Sequence, residues 1–138
     1  MLHNLDQLLA SLKDNRVRVL PIDCPYIEPG AAPVQMLFAE GTEVRADYWR
    51  LIQNGKAGTS SFDHKQKYGL PAPIDAIQKL QEELQNRVVE AAKLDPETGD
   101  LLFHFAGDTK CQILNLTGYE VWEISFPDGT GEYSNYAK

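Results

Sequence analysis

The chain has 138 residues, of which 43% are hydrophobic and 24% charged, and its net charge is −7. That composition suits a single globular domain large enough to bury a core. It excludes a helical membrane span, because no run of about 18 apolar residues occurs, and it argues against nucleic acid as a direct partner, because phosphate binding needs a basic surface.

The charge is unevenly spread. Residues 1–70 carry eight acidic and eight basic side chains, whereas residues 71–138 carry twelve and five. An acidic second half either keeps the protein dispersed or offers a face to a basic partner. The N-terminal MLHNLDQLLASLKD lacks the basic-then-apolar order of a signal peptide. Cys24 and Cys111 lie far apart without metal-ligand spacing, so reduced thiols and a cytoplasmic location are expected, with no metal or other cofactor.

In chain order, Leu2, Leu5, Leu8 and Leu12 recur at helical spacing and predict a short amphipathic helix over residues 2–14. Residues 16–22 alternate and read as a strand. The three prolines and one glycine of residues 24–33 read as a loop. Residues 34–39 and 43–52 read as strands about a Glu40-Gly41 turn, the second long, with a bulge near Ala46-Asp47. Residues 54–73 show no clear period, with an edge strand as an option over Thr59–Asp63. A second helix is expected over residues 74–86, from the stripe Ile74, Ile77, Leu80 and Leu84. Strands follow at residues 87–94, 101–105, 111–116 and 119–126. In the last of these Tyr119, Val121 and Glu123 share one face, and Glu120, Trp122 and Ile124 the other. Pro127-Asp128-Gly129 ends the series as a turn.

The two halves read alike. The helical stripes match 72 positions apart, and in the same chain order Phe38–Thr42 resembles Phe105–Thr109 and Tyr48–Ile52 resembles Val121–Ser125. The expected fold is α+β: a tandem repeat of one helix and three antiparallel strands (αβββ-αβββ), helices packed on antiparallel sheet, about a pseudo-two-fold axis. The whole chain forms one domain. Its repeats cover residues 1–53 and 73–128, a linking loop residues 54–72 and a flexible tail residues 129–138. Trp49 and Trp122 would occupy equivalent places.

Chemistry is weakly encoded. Asp63-His64 is the one pair that suggests acid–base work, but adjacent side chains seldom point together, and Ser60 and Ser61 lack a nucleophile's setting. His3 and His104 carry no such argument. Gly55 and Gly58 lack the spacing of a phosphate loop. The middle loop, with Phe62, His64 and Tyr68, suits contact with a partner or serves as a plain linker. Glu120, Glu123, Asp128 and Glu132 would make an acidic strip around the final strand, either a recognition face or a solvated sheet surface. The candidate binding residues are Phe62, His64, Tyr68, Tyr119, Glu120, Trp122 and Glu123.

Two segments carry a resemblance: Phe62-Asp63-His64 with Lys67-Tyr68-Gly69-Leu70-Pro71, and Gly118-Tyr119-Glu120-Val121-Trp122 with Pro127-Asp128-Gly129. They resemble a family of small, largely uncharacterised bacterial proteins over most of residues 38–130. Some similar proteins are encoded near polymorphic toxins, so the resemblance implies an immunity-like role for a subset and no catalytic residues. The leading expectation is a non-enzymatic binder of a basic, toxin-like protein. The alternatives are a small-molecule binder or minor enzyme with a pocket at the repeat junction near Trp49 and Trp122, and a structural subunit of a homo-oligomer.

Overall fold

A computed structural model describes residues 4–24 and 28–135. Strand dominates it. Two antiparallel five-stranded sheets face one another, with two short helices, α1 (Leu5–Ala10) and α2 (Ala76–Leu84). The ten strands are β1 (Val17–Pro21), β2 (Val34–Phe38), β3 (Glu43–Ala46), β4 (Trp49–Gln53), β5 (Lys56–Ser60), β6 (Val89–Leu94), β7 (Leu101–Phe105), β8 (Thr109–Ile113), β9 (Trp122–Ser125) and β10 (Gly131–Tyr133). The first sheet runs β1-β2-β3-β9-β10 and the second β5-β4-β8-β7-β6. Each sheet therefore takes three strands from one half of the chain and two from the other.

Alternation explains the packing. In β2, β7 and β8 every second residue is buried, so Val34, Met36, Phe38, Leu101, Phe103, Phe105, Cys111 and Ile113 enter one core. Phe38 of the first sheet stacks on Phe103 of the second at 5.4 Å. Burial pushes the Cys111 thiol up to about 12, so this cysteine is a packing residue.

The long strand expected over residues 43–52 is two strands in different sheets. Ala46, Tyr48 and Trp49 are all buried, so the period of two slips by one residue at Tyr48-Trp49. The chain must turn there to keep burying apolar groups, and Asp47-Tyr48 carries it from one sheet to the other. The expected strand at residues 119–126 shortens to β9 for the same reason, since Val121 and Trp122 are both buried.

The middle loop also folds. Asn54-Gly55, with φ of 52° and 76°, makes a tight hairpin between β4 and β5. The tail expected from residue 129 contains β10, which pairs with β9 beyond the Asp128-Gly129 turn. Both helices bury their apolar stripes in the core, through Leu5, Leu9, Leu80 and Leu84. Their principal contacts are with edge strands: α1 with β6, α2 with β1 and β5. Such cover protects strand edges from stray pairing.

Several bonds come in matched pairs. The amide of Asp14 donates to the carbonyl of Val89, and that of Asn86 to Val17, each at 2.8 Å, where β1 meets β6 beside an Arg16–Val88 bridge. Asp14 and Asn86 both have positive φ, 72° and 61°. The indole N–H of Trp49 donates to the Ala32 carbonyl and that of Trp122 to Gly99, both at 2.8 Å. Buried Ser61 accepts from the Trp49 amide, and buried Ser134 accepts from the amides of Val121 and Trp122. Removing either hydroxyl strands buried N–H groups, each costing about 1–3 kcal/mol. Urea unfolding is therefore expected to show both Ser61→Ala and Ser134→Ala destabilised, Ser134→Ala the more, because two amides lose their acceptor.

Candidate functional site

The crossing at Asp47-Tyr48 opens a cleft of about 600 Å³. Three segments wall it. The exit of β1 and the loop after it supply Ile22, Cys24, Glu28, Ala31 and Pro33. The β3–β4 crossing supplies Arg45, Asp47 and Tyr48, and the loop before β9 supplies Thr117, Tyr119, Glu120 and Val121.

Backbone bonds hold these walls together. The Ala32 amide donates to the Asp47 carbonyl at 2.9 Å, the Asp47 amide to Val121 at 3.1 Å, and the Leu114 amide to Tyr48 at 2.9 Å. The loop carrying Tyr119 is gripped from the C-terminal side. Asn135 and Asn115 exchange reciprocal side-chain amide bonds at 3.0 and 2.9 Å. The Asn135 amide nitrogen also reaches the carbonyls of Thr117 and Tyr119, each at 2.7 Å.

The electrostatics are lopsided. Glu28, Asp47 and Glu120 line it together with Arg45, the one lysine or arginine lining the cleft among the described residues. Arg45 Nη1 lies 2.8 Å from Asp47 Oδ1. Burial nevertheless pushes the Asp47 carboxyl up, with Arg45 only partly offsetting it. The Tyr48 hydroxyl is raised too, first by burial and then by the charges of Glu28 and Asp47. An apolar lining, two tyrosine rings and surplus carboxylates can receive an organic cation.

The expected residues fare differently. Tyr119, 84% exposed, and Glu120 stand on the rim. Glu123 lies on the outer side of the sheet, 3.8 Å from Arg45 Nε. Phe62 is drawn in through Tyr48, on which it stacks at 5.9 Å. Its ring also covers Gly30, where an added Cβ would come within 2.3 Å of it. Trp122 is 1% exposed, its N–H is satisfied by the Gly99 carbonyl, and it packs in the core rather than lining the cleft. Trp49 is equally buried, so the junction between the tryptophans is filled and the hollow opens beside it. Glu132 leaves the acidic strip, because it lies opposite inward-facing Ile124 and is 2% exposed.

His64 and Tyr68 act in the framework. Asp63 accepts from the Ser60 amide at 2.9 Å and from the Tyr68 hydroxyl at 3.1 Å, closing the 3₁₀ turn of residues 61–63. His64 Nδ1 accepts from the Ala76 amide at 3.1 Å, at the start of α2. The carboxylate and imidazole thus serve separate backbone groups and form no dyad. Sequence reasoning missed Glu28, Arg45, Asp47, Tyr48 and Asn135; the slip at Tyr48-Trp49 was the available signal for the crossing.

No protein-family model matches the chain, and neither a curated protein nor a solved structure does. Among the described residues, no helix is long and apolar enough to cross a membrane, and no group of three or more His, Cys, Asp or Glu could hold a metal ion.

Burial lowers the His64 imidazole below its ordinary 6.5, Asp75 pulls it back up, and Lys65 lowers it further. The fold therefore takes up this proton less readily than the unfolded chain. Stability tied to His64 is complete above about pH 6.5 and declines as pH falls below it. His104 is shifted in the same direction, so a His64→Gln variant isolates the effect. Urea midpoints measured from pH 7.5 to 5 are expected to fall less steeply for His64→Gln than for the wild type.

Proposed function

We propose that this protein is a non-enzymatic binder of a basic protein partner, immunity-like in kind, and that the cleft beside the β3–β4 crossing is where it binds. The observation that carries this reading is the cleft's composition: Glu28, Asp47 and Glu120 against one lining cation, Arg45. Tyr119 on the rim and Phe62 beside Tyr48 provide exposed aromatic surface of the kind that anchors protein contacts. The carboxylates come from both halves of the chain, so the acidic second half alone does not make the face.

We also propose that the chain is an internal duplication whose halves interlock, β1–β3 taking β9–β10 and β6–β8 taking β4–β5. The matched bonds of Asp14 with Asn86, Trp49 with Trp122, and Ser61 with Ser134 support it. The halves differ most where the cleft lies. Residues 22–33 join β1 to β2 where only residues 95–100 join β6 to β7, and residues 114–121 join β8 to β9 where only residues 47–48 join β3 to β4. Both longer connections wall the cleft, as expected if added loop length served binding. A Ser61→Ala chain as stable as the wild type would remove the equivalence.

A second reading rests on volume. About 600 Å³ lies within the range of small-molecule sites, so a small organic cation is the alternative ligand. Calorimetry with the product of the adjacent gene and with a lysine-rich peptide, at 50 and 500 mM salt, tests the leading reading. Binding is expected at low salt, weakened at least about tenfold at high salt and in a Glu28→Gln/Glu120→Gln double variant. Absence of binding to either at low salt overturns it.

A further inference from the structure

Arg45 sits between two hollows. On one side it lines the cleft; on the other it lines a shallower hollow of about 270 Å³ with Ile22, Gln35, Glu43, Glu123 and Ser125. Strand register places it between Gln35 of β2 and Glu123 of β9. Its guanidinium touches a carboxylate on each side, Asp47 at 2.8 Å and Glu123 at 3.8 Å. Asp47 is the most sheltered of the cleft's three carboxylates, since Glu28 and Glu120 are exposed. Charges in open water gain little from pairing, and a half-buried carboxylate gains more. The strongest place for a ligand's cation is therefore the one that Arg45 occupies.

Resting on the cation-binding reading of the cleft, we propose that Arg45 is an internal stand-in for the ligand. A ligand ammonium or guanidinium on a slender apolar stem takes its place at Asp47, and the displaced guanidinium moves onto Glu123. Ile22, Ala31, Pro33 and Val121 line the space for the stem. The exchange needs little motion, because Glu123 already lies within ion-pair reach of Arg45. It also gives selectivity: a neutral ligand of the same shape cannot replace the charge that Asp47 would lose.

The test compares wild type, Arg45→Met and Glu123→Gln at 50 mM salt. Both replaced side chains are about one-third exposed, at 33% and 35%, and thermal melts check that each variant folds. The probes are N-acetyl-lysine methylamide, N-acetyl-arginine methylamide and a ten-residue lysine-rich peptide. Arg45→Met is expected to bind about tenfold tighter, having lost the competitor, and Glu123→Gln several-fold weaker, having lost the acceptor for the displaced group. Affinity unchanged or weakened in Arg45→Met, or both variants moving the same way, overturns the exchange while leaving the cleft a cation site. No binding of any probe to wild type or Arg45→Met overturns both. Retention of the peptide alone assigns the cation to a protein chain; equal retention of the single amino-acid amides assigns it to a small ligand.

Discussion

The structure depends on satisfying backbone groups where the chain leaves one sheet for the other. A strand that departs from its ladder leaves amides and carbonyls unpaired, and burying them without partners is costly. The chain solves this with bonds between crossings. Asp47 donates to Val121 and Leu114 donates to Tyr48, so each crossing satisfies the other. Ser61 and Ser134 complete the arrangement by accepting from the amides of Trp49, Val121 and Trp122. The two tryptophans then fill the space between the sheets, and each indole N–H finds a carbonyl from a neighbouring loop. Neither sheet is complete without strands from both halves of the chain.

The cleft follows from the same constraint. A crossing turns the backbone away from the sheet plane, and the connections of residues 22–33 and 114–121 are long enough to stand up around it. The charged side chains nearest the turn cannot join the core, so they line the hollow instead. Asp47 shows the compromise: its backbone is part of the framework, while its carboxyl, desolvated yet paired with Arg45, faces the site. Asn135 holds the outer wall by binding the carbonyls on either side of Gly118. These bonds fix the backbone on which Tyr119 and Glu120 stand.

The candidate residues were partly legible. Tyr119 and Glu120 were singled out from an acidic, aromatic stretch and do line the cleft. Phe62, His64 and Tyr68 share a chemistry that suits contact, but the local turns use His64 and Tyr68, while Phe62 stacks on Tyr48. Asp63 is tied to Ser60 and Tyr68, and His64 to the first amide of α2. A motif of polar and aromatic residues between elements can be a set of caps as readily as a site. Trp122 faces the core with Ile124 and Phe126, the face that alternation gives it, whereas Glu132 lies in β10, where a flexible tail is expected from the sequence.

The sequence by itself determined what depends on neighbours along the chain. Alternating apolar residues marked most of the strands, helical stripes marked both helices, and Asp, Asn and Gly marked the turns. Only the tertiary structure decided which strands pair, since β3 with β9 and β4 with β8 join residues far apart in sequence and no local pattern names a distant partner. The same holds for the cleft: Glu28, Arg45, Asp47 and Glu120 are distant along the chain. They become one site because the sheets exchange strands at Asp47-Tyr48, and that exchange is set by burial and backbone pairing across the whole domain.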